Sequence, residues 1–154
     1  MDIALLAVGR LRPYYREACD DYLKRLGRYG RISEREVREA ARAPTVARQR
    51  NDEAAALARH VPSGAARICL GREGQPWSSD ALARRLDRWQ VDARPLAFVI
   101  GGSNGLAPEL LRSAEAVWSL GPLTLPHELA RVVVVEQLYR AFTILRGEPY
   151  HKGR

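Results

Sequence analysis

Short, wholly apolar runs closed by glycine most constrain how this chain can fold. Residues 3–8 end at Gly9, and residues 96–100 run into Gly101 and Gly102. Their length and flanking glycines favour buried strands over helices. Because these strands show no apolar–polar alternation, both of their faces should be covered, as in parallel sheets flanked by crossover helices.

The rest of the chain alternates strands with helices. The apolar spacing predicts helices over 13–27, 47–61, 108–116 and 126–146, and a third helix after Ser79 that carries Leu82, Leu86 and Trp89. Further strands are predicted over 32–37, 66–70 and 117–119. Ser79 is expected to cap the third helix, Thr124 is a candidate cap for the last, and 40–52 is the stretch expected to be flexible. We therefore predict an α/β fold with a mostly parallel sheet flanked by helices.

Charge favours a polyanionic partner. The 154 residues, a typical size for one domain, carry a net charge of +7 with 25 Lys or Arg. Residues 10–50 hold twelve of these cations and six carboxylates. Nucleic acid is the usual partner for such a balance, although a solvated helix face or a GC-rich genome also produces it.

The cysteines and the N-terminus indicate a reduced, cytoplasmic protein. Cys19 and Cys69 form no CxxC and have no histidine at metal-ligand spacing, and Cys69 lies in an apolar run that predicts burial. No metal is expected. The chain lacks a signal-like start and an apolar stretch long enough to cross a bilayer, so no membrane association is expected.

A glycine-rich turn follows the fourth strand. Its sequence is GGSNG over 101–105, which allows close approach of a ligand to the backbone. It is neither GxGxxG nor a P-loop, so a dinucleotide or triphosphate site is weakly supported. A tight strand-to-helix turn with no ligand is the alternative.

A leucine-rich loop precedes the last helix. Leu120, Leu123 and Leu125 are apolar residues in a loop, which is typical of a packed loop or of an apolar pocket wall. His127 follows in the first helical turn. It is a candidate base or phosphate donor, and a capping role is the alternative.

The last helix and the tail carry further candidates. Glu136 and Arg140 are four residues apart, which predicts an ion pair or a charged pair at a subunit interface. The tail has an aromatic residue beside basic ones, a combination that can stack a base and bind phosphate unless the tail is disordered. Its candidates are Tyr150, His151, Lys152 and Arg154.

In this order, these segments resemble a known family. The runs FVIGGSNGL and LTLPHELARVVVVEQLYRAFTILRGEPYHK closely resemble the RlmH family of SPOUT (α/β-knot) methyltransferases. The opening LLAVGRLR and the segment KRLGRYG are also similar to that family. The resemblance covers essentially the full length.

The resemblance implies one SPOUT domain over 1–154, a C-terminal trefoil knot and a homodimer. It implies S-adenosylmethionine (SAM) as methyl donor and methylation of N3 of a pseudouridine in large-subunit (23S) ribosomal RNA within the ribosome. The family's cofactor contacts map onto Leu70, Gly101, Leu120, Gly121, Pro122, Leu123, Thr124 and Leu125.

For catalysis, the candidates are His127 and His151, which would assist loss of the N3 proton or stabilise the anion. For RNA binding, they are Arg131, Tyr150, Lys152 and Arg154.

One departure from the family pattern bears on the cofactor loop. Gly121-Pro122 stand where family members often have a serine after the residue matching Leu120, so contacts from this segment would be mainly backbone. Two alternatives stay open: a non-enzymatic RNA- or ribosome-binding protein, and a SPOUT methyltransferase that acts on another RNA such as tRNA.

Overall fold

In a computed structural model, which describes residues 1–151, five strands form one parallel sheet in the order β2-β1-β4-β3-β5. The strands are β1 Asp2–Val8, β2 Arg31–Val37, β3 Ala66–Gln75, β4 Leu96–Ile100 and β5 Ala116–Trp118. The helices are α1 Pro13–Leu26, α2 Val46–Ala58, α3 Ser79–Val91, α4 Pro108–Arg112 and α5 His127–Leu145, followed by a 3-10 turn over Pro149–His151. The predicted α/β fold with a parallel sheet is confirmed.

The two most apolar strands lie inside the sheet. All five residues of β4 and the last six of β1 are buried, because helices cover both faces of the sheet. Helices α1, α3 and α5 pack on one face, and α2 and α4 pack on the other. β2 lies at an edge and pairs with β1 alone, as its polar sequence predicts.

Two predicted helix caps are wrong, by one and two residues. Ser78, not Ser79, caps α3, because its backbone is extended and its side chain accepts a hydrogen bond from the N–H of Ala81. Thr124 does not cap α5, whose N-cap is Pro126. Proline fixes the entry to α5 without a side-chain acceptor.

Two further predictions fail in the connections. The stretch 40–52, expected to be flexible, includes the first half of α2, which begins where Thr45 accepts a hydrogen bond from the N–H of Arg48 at 3.0 Å. α4 ends at Arg112, earlier than predicted. The chain then joins the sheet, as the N–H of Glu115 donates to the carbonyl of Arg67 at 3.0 Å.

Candidate active site at the carboxyl edge of the sheet

The three segments expected to bind a cofactor lie on neighbouring strands: two follow β4 and β5, and Leu70 lies within β3. β4, β3 and β5 are adjacent and parallel, so their carboxyl ends meet at one edge. Gly101 directly follows β4, and Leu70 pairs with Trp118 at the end of β5. Residues 120–125 begin two residues beyond that strand. Segments distant in sequence therefore converge here.

The glycine turn is closed on itself, and a side chain does not fit at its start. A Cβ on Gly101 would lie 2.7 Å from the carbonyl carbon of Gly105, and one on Gly102 would lie 3.0 Å from Cγ1 of Val8. Gly102 and Gly105 form an isolated bridge, and Gly105 has a φ of +73°. The side-chain positions of Gly101 and Gly102 are thus filled by the protein itself, whereas nothing lies within 4 Å of a Cβ on Gly105.

Helix α2 holds the turn from the other side. Arg50 Nε donates to the carbonyl of Asn104 at 2.6 Å, and Asn104 Nδ2 donates to Gln49 Oε1 at 3.0 Å. The buried carboxylate of Glu53 accepts hydrogen bonds from the N–H of Ala40 and from Gln49 Nε2. The sequence predictions miss these side chains, because nothing in the pattern of α2 shows that it touches a loop about fifty residues later.

The leucine-rich loop combines an ordered start with an exposed tip. The N–H of Gly121 donates to Ser119 Oγ at 3.1 Å, and Gly121 has a φ of +108°, a conformation suited to glycine. Leu120 packs partly buried against the core, whereas the side chain of Leu123 is 76% exposed. Pro122 and Thr124 are also exposed, and Leu125 is half-buried.

His127 lies where the chain direction changes. The chain leaves β1 toward α1 on one face and leaves the neighbouring β4 toward α4 on the other. Ligands of open α/β sheets bind in the crevice at such a switch point. A Cβ on Gly9, which directly follows β1, would lie 3.9 Å from His127 Nε2, so this histidine stands over the crevice. Gly9 is not among the predicted site residues, although it follows β1 as Gly101 follows β4.

Arg131 corrects the RNA-binding prediction. It is 1% exposed, and its guanidinium forms ion pairs with Glu34 and Glu36 and donates to the carbonyl of Gly9 at 2.9 Å. Because the side chain is buried and its guanidinium binds these groups, it cannot reach an RNA phosphate. One helical turn before Arg131, the carboxylate of Glu128 accepts a hydrogen bond from the backbone N–H of Arg12 at 2.7 Å. It also forms an ion pair with Nε of Arg12 at 3.0 Å.

Arg131 and Glu128 therefore fix the first turns of α5 against the ends of β1 and β2. His127 lies on the same helical turn as Glu128. Its place over Gly9 is a consequence of this buried charge network.

Tyr150 is held by protein groups. Its hydroxyl donates to Glu136 Oε1 at 3.0 Å and lies 3.3 Å from the hydroxyl of Tyr22, while the Arg140 guanidinium lies 4.9 Å from its ring centroid. Burial and these hydrogen bonds raise the pKa of Tyr150. The predicted Glu136–Arg140 ion pair is confirmed at 2.6 Å.

Tyr150 thus fastens the start of the tail to α1 and α5. The side chain of His151, together with Lys152 and Arg154, lies outside the part of the chain that the structure describes.

Neither thiol is exposed at this edge. Cys19 and Cys69 are buried, and burial raises the pKa of each to about 11. Among residues 1–151, no group of three or more His, Cys, Asp or Glu side chains could hold a metal ion. Within the same residues, no helix is long and apolar enough to cross a membrane.

Comparison with known proteins identifies the family. A family model described as a predicted SPOUT methyltransferase matches residues 1–151. The chain belongs to the SPOUT methyltransferase family. This SPOUT protein is 44% identical over 155 residues to the ribosomal RNA large subunit methyltransferase H of Pseudomonas paraeruginosa, covering 99% of this chain and 100% of the relative. It is 47% identical over 153 residues to the protein of the same name from an Anaeromyxobacter species, with the same coverage.

Solved structures share its fold. A probable methyltransferase from Bordetella pertussis matches with a TM-score of 0.56 at 15% identity, over 90% of this SPOUT chain and 93% of that protein. A probable methylase family protein from Haemophilus influenzae matches with a TM-score of 0.58 at 13% identity, over 98% and 70% of the two chains. At such identities the likeness concerns the fold alone.

Proposed function

We propose that this SPOUT protein methylates N3 of a pseudouridine in 23S ribosomal RNA within the ribosome, with SAM as methyl donor. The convergence of Leu70, Gly101 and the 120–125 loop at adjacent strand ends is the observation that carries the proposal. The names of its full-length relatives, which are ribosomal RNA large subunit methyltransferases, support the choice of substrate.

The residues at this edge fit SAM. Nothing lies within 4 Å of the Cβ position of Gly105, so the glycine turn leaves its main chain accessible there. The half-buried Leu70, Leu120 and Leu125 offer apolar surface to an adenosyl group. Gly121 and Pro122 would add main-chain contacts, with Leu123 and Thr124 completing the loop. When bound, SAM supplies an electrophilic methyl group, so the protein's own tasks are to position the base and to manage one proton.

His127 is our candidate for the proton. Nε2 of this histidine faces the crevice at the end of β1, where a pseudouridine drawn out of its RNA stack would enter. The ring would accept the N3 proton or stabilise the resulting anion by donating a hydrogen bond. His151 is the second candidate, and Tyr150, Lys152 and Arg154 would place the tail against RNA.

The remaining features of the proposal concern the whole protein. We propose a single SPOUT domain over 1–154 with a C-terminal trefoil knot, working in the cytoplasm as a homodimer. Leu129 and Val133, one turn apart on α5, are half-exposed and belong to neither core cluster. They suit a helix that packs across a two-fold axis.

The cofactor site is tested by Gly101→Ala. Because the new Cβ would meet the Gly105 backbone, the turn must shift, and we expect SAM affinity measured by calorimetry to fall by about tenfold or more. Gly27→Ala is the matched control, since Gly27 has an ordinary helical backbone at the end of α1. Unchanged SAM affinity in a folded Gly101→Ala protein would count against the site.

The substrate is tested by mass spectrometry of ribosomal RNA from cells that lack the gene. Loss of one methyl group on a pseudouridine, restored by the wild-type gene, is the expected result. An intact 23S modification with loss of a methyl group elsewhere would favour a SPOUT enzyme for another RNA. A folded protein that binds no SAM would favour a non-enzymatic RNA-binding protein.

A further inference from the structure

Two exposed arginines leave the sheet side by side at the active-site edge. The register pairs Val8 with Val37, and the N–H of Gly9 donates to the carbonyl of Val37 at 2.8 Å. Arg10 and Arg38 therefore follow neighbouring strands at nearly the same level. Arg42 lies in the loop that continues from β2, and all three side chains are exposed.

Carboxylates close to these arginines are bound to other groups. Glu34 and Glu36 pair with Arg131 and Arg16, and Glu128 pairs with Arg12. Glu39 accepts a hydrogen bond from Ser103 Oγ and keeps one negative charge at this edge. The buried Glu53, which binds the N–H of Ala40, is a second carboxylate without an ion pair among residues 1–151. Three arginines against these two carboxylates leave the local charge positive.

About half of the arginines elsewhere among residues 1–151 are compensated by an ion pair. Ion pairs join Arg25 to Asp21, Arg31 to Asp2, Arg48 to Asp52, Arg94 to Glu115 and Arg112 to Glu109. Within residues 1–151, Arg10, Arg38 and Arg42 have no ion pair. Their charge is therefore available to an external anion.

We propose that Arg10, Arg38 and Arg42 form a phosphate-binding surface for the RNA strand that flanks the target base. Gly9, next to Arg10, lies beside His127, so phosphates held here would keep the neighbouring nucleotide at the methyl-transfer edge. Guanidinium groups bind phosphate through two hydrogen bonds, and a nucleotide drawn out of its stack needs its flanking backbone held. The inference rests on the proposed function, because it assigns the RNA contact of the same site.

Salt dependence of binding measures the phosphate contacts. We expect Arg10→Ala, Arg38→Ala and Arg42→Ala each to weaken binding of a single-stranded oligouridylate, followed by fluorescence anisotropy. Each should also reduce the slope of log affinity against log salt by about 0.7 for every phosphate that the protein no longer neutralises. SAM affinity, measured by calorimetry on the same variants, should stay at the wild-type value.

Arg59→Ala and Arg88→Ala are the matched controls. Both arginines are exposed near the C-terminal ends of α2 and α3, on the side of the sheet where β3 and β4 begin, and neither has an ion pair among the described residues. Each control removes the same charge, so an equal loss of slope in both sets, or no loss in the first set, would overturn the surface. Failure of the wild type to bind SAM would instead refute the proposed function. The measured salt dependence would still show whether the three arginines bind phosphate.

Discussion

At the scale of single residues, Arg131 shows how a cation can organise a site without touching its ligand. Its guanidinium neutralises Glu34 and Glu36 and binds the carbonyl of Gly9. Arg131→Met would remove the buried cation that neutralises these two carboxylates. We expect the free energy of unfolding, measured in urea, to fall by about 3–5 kcal/mol.

Arg16→Met is the control for this network. Arg16 also pairs with Glu34, at 2.6 Å, but 30% of its side chain is exposed and Arg131 would still neutralise the carboxylates. We expect a clearly smaller loss of stability. Equal losses of stability in the two variants would show that the burial of Arg131 does not increase its contribution to the free energy of unfolding.

The sequence alone does not reveal this role. Arg131 interrupts an apolar helix, which is compatible with a solvent-facing, an interfacial or a buried cation. Its partners lie 95 and 97 residues earlier, on a strand whose sequence is polar and typical of an exposed edge. A contact made by long-range folding leaves no local pattern.

At the scale of elements, the sequence predicts those whose burial is uniform. The predicted bounds of β4 match the observed ones because all five residues are apolar. The prediction for β3 stops at residue 70, whereas its polar second half continues to Gln75 through a shift of register. Family resemblance indicates the cofactor segments, but their meeting at one edge follows from the strand order, which hydrophobic periodicity does not fix.

Helix α2 provides the prediction at this scale. Glu53→Ala removes the acceptor for the Ala40 N–H and for the Gln49 amide, and Gln49 in turn holds Asn104. We expect a loss of about 1–3 kcal/mol in stability and faster amide hydrogen exchange over residues 101–105.

Glu53→Gln and Asp52→Ala are the control variants for this prediction. Glutamine keeps one oxygen as acceptor, so Glu53→Gln should lose less stability than Glu53→Ala. Asp52 is an exposed neighbour that pairs with Arg48 on the same helix. If exchange over 101–105 is unchanged in Glu53→Ala, α2 does not hold the glycine turn.

At the scale of the whole molecule, composition predicts the sign of the charge but not its placement. The +7 net charge suggests a polyanion. Some arginines are paired within one helical turn, as the sequence predicts for Glu136 and Arg140. The pairings of Arg12, Arg16 and Arg131 with residues distant in the sequence are not given by any local pattern. The carboxyl edge thus combines arginines that have no ion pair among residues 1–151 with carboxylates that Arg131 neutralises.

The proposed homodimer gives the last prediction. Val133→Glu would place a charge on the half-exposed apolar face of α5, beside Leu129, where we expect the two-fold contact. Sedimentation should then show a dimer for the wild type and a 17.3 kDa monomer for the variant, with the helical circular dichroism retained. Val91→Glu is the control, because Val91 on α3 is 81% exposed and its substitution should leave the dimer intact. A wild-type protein that sediments as a monomer at micromolar concentration and still methylates RNA would refute the dimer, because each chain would then complete the site alone.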